Sequence, residues 1–122
     1  MSDTQASLYE RLGGQSGIAA IVEDIWKNHI SNPLIKQRYE ASDPENVKRL
    51  VREMFGAGTG GPETYTGKDM LSAHKGMNIS DEEFVAVIDD VLDAMDKNNA
   101  EQPEKDEVLC ILYSMKGEIA HV

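Results

Sequence analysis

The fold of this chain depends on the stretch Gly60-Gly61-Pro62-Glu63-Thr64-Tyr65-Thr66-Gly67-Lys68-Asp69-Met70-Leu71-Ser72-Ala73-His74. Its first half is a loop by composition, because glycine permits backbone conformations that other residues avoid and proline interrupts regular structure. Its second half predicts a short helix. Thr66, followed three residues later by Asp69, is a variant of the capping box, and Gly76 is a natural end for such a helix.

The predicted helix carries one histidine, His74, whose neighbours are small or apolar: Met70, Leu71, Ala73 and Met77. A neutral imidazole among thioethers and aliphatic side chains suits a ligand of haem iron, since the porphyrin is large, flat and mostly apolar. A lone histidine on an apolar helix face is more often a hydrogen-bonded core residue. From the residues around His74 alone, both interpretations stay open.

Motifs in a fixed order along the chain resemble the signature of the truncated haemoglobins, group I in particular. They are Leu8-Tyr9-Glu10-Arg11-Leu12-Gly13-Gly14, Asn32-Pro33-Leu34, Gly60-Gly61-Pro62, Tyr65-Thr66-Gly67, Met70, Ala73-His74 and Phe84. The resemblance covers nearly the whole chain. It implies a two-over-two helical sandwich, one haem group and His74 as the proximal iron ligand.

Helical periodicity also runs through the rest of the chain. Apolar residues recur at intervals of three and four, which predicts helices over about 4–12, 16–30, 44–56, 81–95 and 103–119. Asp43 with Pro44, and Ser80 with Glu83, are expected to begin two of them. No segment alternates with a period of two. The sequence therefore predicts an all-α fold with one domain over residues 1–122.

Composition restricts the partners and the compartment. The chain has 122 residues, a formal net charge of −10 and a pI near 4.6. Phosphate contacts need Lys and Arg, so neither nucleic acid nor an anionic membrane is expected as a partner. The start of the sequence lacks the pattern of a signal peptide, which predicts a cytoplasmic location. The single Cys110 is expected to be a buried thiol, and a Cys-x-x-Cys-His motif for covalent haem is absent.

The resemblance implies where a gas would meet the iron. When the chain is aligned with group I relatives without gaps between Trp26 and Gly60, Trp26 replaces a distal tyrosine. Val47 and Val51 then occupy positions where relatives often carry Gln, Leu or Lys. Neither valine can donate a hydrogen bond or bind iron, so an unusually apolar pocket and an open sixth position are expected. The indole N–H of Trp26 is the one donor in this set. A shift of one residue would instead bring Asn46, Lys48 or Arg52 nearer the iron.

Further cofactor contacts are expected from residues that the resemblance places around the haem: Tyr39, Phe55, Tyr65, Lys68, Met70, Met77, Phe84 and Val87. Tyr65 and Lys68 are candidates for the haem propionates, with Arg49 and Arg52 as competitors. His29, one turn after Trp26, is expected on the helix surface or in a capping role, with an approach to the far wall of the pocket as the alternative. The pair Asp89-Asp90 is expected on a solvated helix face.

The leading functional hypothesis is a haem b protein that reversibly binds oxygen, nitric oxide or carbon monoxide. An enzyme, either a nitric oxide dioxygenase with a partner reductase or a peroxidase-like protein, is the first alternative. Against this alternative, the sequence offers no obvious polar group on the distal side of the haem to move protons. A gas sensor would need an output partner, and a haem-free helical interaction module would be colourless.

Overall fold

Helices dominate the computed structural model, which describes residues 6–122. The helices are α1 Leu8–Arg11, α2 Gly14–Ser31, α3 Pro44–Gly58, α4 Met70–His74, α5 Asp81–Lys97, α6 Gln102–Ser114 and α7 Lys116–Ile119, with a 3-10 turn at Lys36–Tyr39. Within the described part of the chain the only β-type pairing is an isolated bridge between Ile79 and Ala120. The predicted all-α class is confirmed.

The long helices form two packed pairs. Helix α2 lies against α3, α5 lies against α6, and α2 also packs across α5. The main core is built where these faces meet, and its most enclosed side chains are Ile21, Val22 and Met95. The core residues of α2 and α5 recur at intervals of three and four, as the sequence predicted. Each helix therefore buries one apolar face in the core.

Helix starts follow the side chains that can satisfy their free N–H groups. Ser80 and Glu83 form the predicted capping box at α5, and Asp43 caps α3 with Pro44 in its first turn. The predicted cap of α4 was wrong. Asp69 caps this helix by accepting from the Ser72 N–H, because the Thr66 hydroxyl donates to Glu53 Oε1 at 2.6 Å.

Two glycines let the chain leave α3 and reach α4. Gly60 has a φ of +94°, which is in the left-handed region. A Cβ at Gly61 would lie 2.4 Å from the Tyr9 ring, so only glycine fits there. The Tyr9 hydroxyl donates to Glu63 at 3.0 Å on the same loop. The loop between α3 and α4 is therefore held against α1.

The segment after α4 is held by the last residues of the chain. The N–H groups of Gly76 and Asn78 donate to the Val122 carbonyl, and the His121 N–H donates to the Ile79 carbonyl at 2.9 Å. The His121 side chain also contacts Asp81 at 3.0 Å. These bonds fix the position of His121.

Two further properties concern the exterior of the fold. Cys110 is exposed, although the sequence predicted a buried thiol, because the buried residues of α6 are Glu104 and Val108.

Among the helices of residues 6–122, none is long and apolar enough to cross a membrane.

An ion pair joins the 3-10 turn to α5. Arg38 donates through Nε and Nη2 to the two carboxylate oxygens of Glu83. This bidentate contact lowers the pKa of Glu83 to about 2, and the Ser80 backbone N–H adds to the effect. The ionised carboxylate therefore stabilises the fold.

We expect Glu83→Gln to lower the free energy of unfolding by about 0.5–1 kcal/mol at pH 7, because the charge pair is lost. Glutamine can still accept the Ser80 N–H, so the cap is retained. The wild-type advantage is fully present above the ordinary carboxyl pKa of 4.5, and is lost as the pH falls through about 2. Urea unfolding between pH 7 and pH 2 measures this difference.

Glu82→Gln is the matched control, since Glu82 is exposed in the same helical turn. It should leave stability nearly unchanged at every pH. A constant difference between wild type and Glu83→Gln across the whole pH range would contradict the prediction.

Candidate functional site

A cavity of about 370 Å³ lies between the helices. Its volume falls in the range of protein sites that hold small ligands and cofactors. Most of its lining is aliphatic, thioether or aromatic: Ile35, Leu50, Met54, Met70, Met77, Phe84, Val87, Ile88, Leu112, Met115 and Ile119. Such a wall suits a large, flat, mostly apolar ligand.

His74 lies at the end of α4 and faces this cavity. Its Nδ1 is 2.8 Å from the Met70 carbonyl oxygen, one helical turn earlier. A carbonyl oxygen only accepts, so Nδ1 carries the proton and Nε2 of the neutral ring keeps its lone pair. Within residues 6–122, Nε2 has no hydrogen-bond partner. The helix therefore presents one free imidazole nitrogen in a defined orientation, as metal-binding histidines require.

Helix α3 contributes Val47 and Val51 to the cavity wall. This agrees with the register proposed from the sequence. Lys48, which a shifted register would bring inward, is buried elsewhere and bonds Glu23 at 3.0 Å. Tyr39, at the end of the 3-10 turn, also lines the cavity.

The Tyr39 ring is held by two neighbours. The His29 imidazole stacks on it with ring centres 5.2 Å apart, and the Trp26 indole meets its edge at 5.7 Å. Burial raises the pKa of the Tyr39 phenol, and the Asp90 carboxylate raises it further. The phenol is thus neutral near pH 7. Its hydroxyl has no hydrogen-bond partner in the described chain, so it remains available to a ligand in the cavity.

His29 and Asp90 form a polar pair that the sequence analysis placed on solvated surfaces. The favoured placement was wrong for both, and for His29 the structure agrees with the alternative, an approach to the wall of the pocket. His29 is only 6% exposed and lines the cavity, and its Nδ1 lies 2.7 Å from Asp90 Oδ2. Asn32 also donates to this carboxylate. The pair joins α2 to α5, because a charged oxygen buried at a helix interface needs donors.

Three predicted cofactor contacts are not among the described residues that line the cavity: Trp26, Phe55 and Lys68. Trp26 lies behind Tyr39. Phe55 belongs to the main core, because successive i+4 positions rotate by about 40° around a helix and carry it away from Val47. The other predicted contacts line the cavity: Tyr39, Val47, Val51, Tyr65, Met70, His74, Met77, Phe84 and Val87.

The candidates for binding the haem propionates differ in the hydrogen bonds and ion pairs that their side chains already form. The Tyr65 hydroxyl donates to the Lys68 carbonyl at 2.6 Å, so its proton is already used. Arg49 bonds Glu53, Asn46 and Thr66. The Lys68 side chain is exposed and forms no ion pair within residues 6–122. Arg52 forms no ion pair within these residues either, so Lys68 and Arg52 are the candidate cations that need not give up another partner.

Two side-chain pairs at the site were not predicted from the sequence. Arg38 and Glu83 line the cavity as a pair, and His29 faces it with Asp90 behind. The residues of each pair are far apart in sequence, so no local spacing could reveal the contact. The one available signal was the position of His29 on the apolar stripe of α2, three residues after Trp26 and four after Ile25.

The lining residues fit a haem group. The free Nε2 of His74 supplies one neutral nitrogen ligand, and the largely apolar wall suits the porphyrin faces. Both features are independent of sequence similarity.

Comparison with known proteins identifies the family. The family described as Bacterial-like globin matches residues 7–121. The Group 1 truncated hemoglobin of Tetrahymena thermophila is 31% identical over 87 residues, which cover 71% of this chain and 72% of the relative. A Group 1 truncated hemoglobin of Mycolicibacterium paratuberculosis is 27% identical over 94% of this chain and 85% of its own length.

A solved structure shows the same fold. The truncated hemoglobin of Tetrahymena pyriformis in its Fe(III) form superposes with a TM-score of 0.92 at 23% identity, covering 96% of this chain and all of the other. The predicted two-over-two sandwich is thereby confirmed. The matches to the family and to its curated relatives span most of the sequence, so the chain belongs to the bacterial-like globins and, among them, to the group I truncated haemoglobins.

Proposed function

We propose that this protein binds one haem b non-covalently through His74 and reversibly binds a diatomic gas: oxygen, nitric oxide or carbon monoxide. Membership of the truncated haemoglobins supports haem-based gas binding. The observation that carries the assignment of His74 is its Nδ1–H bond to Met70 at 2.8 Å, which leaves Nε2 free at an apolar cavity. Haem iron held by one histidine offers an open coordination position to a gas.

The remaining residues would orient the cofactor and exclude water. Met70 fixes the His74 ring through its carbonyl, while Phe84 and Val87 cover the cavity from α5. Lys68 is proposed to contact a propionate, since an ammonium matches a carboxylate. The absence of a Cys-x-x-Cys-His motif supports non-covalent binding. A cytoplasmic location and the lack of nucleic acid or membrane partners remain predictions from composition.

The gas-facing wall is proposed to be mainly apolar, with Val47 and Val51 from α3. It is more polar than the sequence indicated, because His29 and Tyr39 also line the cavity. Tyr39 has a free hydroxyl, whereas the indole of Trp26 lies against the edge of its ring. We therefore assign the hydrogen bond to bound oxygen to Tyr39 in place of Trp26.

An enzymatic role gains support from the same wall. The objection from the sequence was that no polar group faces the gas, and His29 and Tyr39 remove that objection. A nitric oxide dioxygenase would need an electron-donating reductase, and a peroxidase-like enzyme would need a reducing substrate. Steady-state turnover with a supplied flavin reductase separates both from a binding protein. A gas sensor would need an output partner.

The first prediction concerns the iron ligand. Purified wild-type protein should show a Soret band that sharpens under carbon monoxide after reduction, and His74→Ala should lose or strongly alter that band, since the side chain that binds iron is removed. Absorption spectra of the ferric, reduced and carbon monoxide forms measure this.

His121→Ala is the control, since this histidine is exposed and bonds only Asp81 through its side chain. It should leave the spectra unchanged. Absence of a Soret band in the wild type, even after haem is added, would overturn the assignment and favour a helical interaction module.

The second prediction concerns the sixth coordination position. The reduced protein should be five-coordinate and high-spin without added ligand, because Val47 and Val51, the residues proposed to face the gas from α3, cannot bind iron. Resonance Raman or absorption spectra of the ferrous form measure the spin state. A six-coordinate, low-spin ferrous spectrum would contradict the prediction.

The third prediction concerns oxygen. Tyr39→Phe should raise the oxygen dissociation rate by about ten- to a hundredfold, because a hydrogen bond to a partly charged acceptor contributes about 1.5–3 kcal/mol. Carbon monoxide depends less on such a donor and should change little. Stopped-flow displacement measures both rates. Trp26→Phe should have a smaller effect.

Tyr113→Phe serves as the control, since Tyr113 is exposed on α6 and is not among the described cavity-lining residues. An oxygen dissociation rate that rises with Trp26→Phe and stays constant with Tyr39→Phe would reverse the assignment of the donor.

A further inference from the structure

The His29 side chain is a buried base with one free nitrogen beside the cavity. Asp90 can only accept when ionised, so its contact at 2.7 Å places the proton of the neutral ring on Nδ1 and the lone pair on Nε2. In the described chain the one enclosed side-chain nitrogen or oxygen without a partner is Glu63 Oε1. Nε2 of His29 also has no partner, but it is not among these enclosed atoms. It therefore lies next to open space, and the cavity is the space that His29 lines.

The other charged groups on the cavity wall are engaged. Arg38 and Glu83 bind each other through two hydrogen bonds. The hydrogen bond from Arg38 lowers the pKa of Glu83 to about 2, which makes this carboxylate a weak base. His74 is assigned to iron. Arg38 is already protonated, and Glu83 would weaken its contact with Arg38 by taking up a proton.

The phenols on the wall are also unsuitable as bases. Burial raises the pKa of Tyr39 and of Tyr65, so both are neutral near pH 7. The Tyr65 hydroxyl, in addition, already donates to a backbone carbonyl. Among the titratable side chains that line the cavity within residues 6–122, His29 is left as the free proton acceptor.

We propose that His29, held by Asp90, is the proton-accepting residue of the cavity for small weak acids H–X that bind ferric haem as X⁻. Hydrogen cyanide, hydrogen sulfide and hydrogen peroxide belong to this class. The inference rests on the proposed function, because it presupposes haem in the cavity. It adds a second class of ligand to the neutral diatomic gases.

The proton transfer balances without a further reactant. A mainly apolar cavity admits these acids as neutral molecules, since an isolated anion is costly to desolvate. The H–X bond breaks, its proton forms an N–H bond at Nε2 of His29, and the electron pair stays on X⁻. No atom is oxidised or reduced in this step. The ring becomes an imidazolium, and its new charge lies next to the Asp90 carboxylate.

Asp90 acts as the positioning residue of the pair. It accepts from Nδ1 of His29 and from the Asn32 amide at 3.2 Å, so its orientation is fixed. Its negative charge favours the imidazolium, because an unpaired positive charge would be costly at a site this buried. Tyr39 restricts the ring from one face, with the two planes only 14° apart.

A purely structural role is the competing explanation, since the pair also ties α2 to α5. His29→Asn separates the two explanations. The asparagine amide nitrogen lies near the position of Nδ1 and can still donate to Asp90, but the side chain cannot accept a proton. Asp90→Asn keeps the imidazole and removes the countercharge. Asp89→Asn is the matched control, because Asp89 is exposed on the same helix.

The experiment compares a protonic probe with a neutral one in the haem-loaded protein. Cyanide association with the ferric form should slow by about a hundredfold in His29→Asn, the lower range for loss of general acid–base assistance. Asp90→Asn should slow it by roughly tenfold, since the base is retained without its partner. Carbon monoxide association with the ferrous form transfers no proton, so each variant should change it by a smaller factor than it changes cyanide association.

An independent readout is the ¹⁵N spectrum of the imidazole in the diamagnetic carbon monoxide form. Wild type should show His29 with Nδ1 protonated and Nε2 unprotonated near neutral pH, and Asp90→Asn should change that pattern. Asp89→Asn should not. A ring with a proton on Nε2, whether neutral or as the imidazolium, would overturn the proposal, because it would have no lone pair to offer the cavity.

The remaining outcomes each decide one question. Equal cyanide association rates in wild type and His29→Asn, with a carbon monoxide complex formed by both proteins, would overturn the proposal and leave the proposed function intact. If His29→Asn does not fold, as judged by circular dichroism, the cyanide rate of Asp90→Asn decides in the same way. A wild type without a Soret band would overturn the proposed function and this inference with it.

Discussion

The packing of α2 across α5 is the constraint on which the cavity depends. Apolar residues close most of this interface, but one edge of it is polar. Asn98 bonds Asp24 at 2.9 Å, the Asn28 amide donates to the Asp90 carbonyl at 2.9 Å, and His29 bonds the Asp90 carboxylate. Directional contacts of this kind fix the register of two helices more narrowly than apolar packing does. They also bring the end of α2 next to the wall where a ligand would lie.

The two sides of the site are supported differently: one lies on a long helix, and the other lies on a short helix that contacts distant in sequence hold in place. Val47 and Val51 lie on the long helix α3, whereas His74 lies on a helix of only five residues. A helix this short gains little stability from its own hydrogen bonds. Its cap at Asp69, the carbonyl of Met70 and the backbone bonds to the chain end therefore determine where the imidazole lies.

Features that depend on neighbouring residues could be predicted from the sequence, and features that depend on distant pairing could not. The capping box of Ser80 and Glu83 is local, and so is the apolar surrounding of His74. Val47 and Val51, which the family resemblance implied as gas-facing residues, line the cavity. The contact of His29 with Asp90 joins two helices, and each residue alone looks like a surface residue. Thr66 failed as a cap because Glu53, on another helix, competes for its hydroxyl.

The backbone bonds between residues 76–79 and 120–122 have a consequence for the order of folding. They close a long loop that contains α5 and α6. Closing such a loop lowers the conformational entropy of the chain, and the favourable contacts that offset this cost form only once the loop is closed. Local helices and the pairing of α2 with α3 need no such closure, so we expect them to form earlier. The histidine that is proposed to hold the iron would then be oriented last. A nascent chain would thus have its apolar walls assembled before it could retain a cofactor.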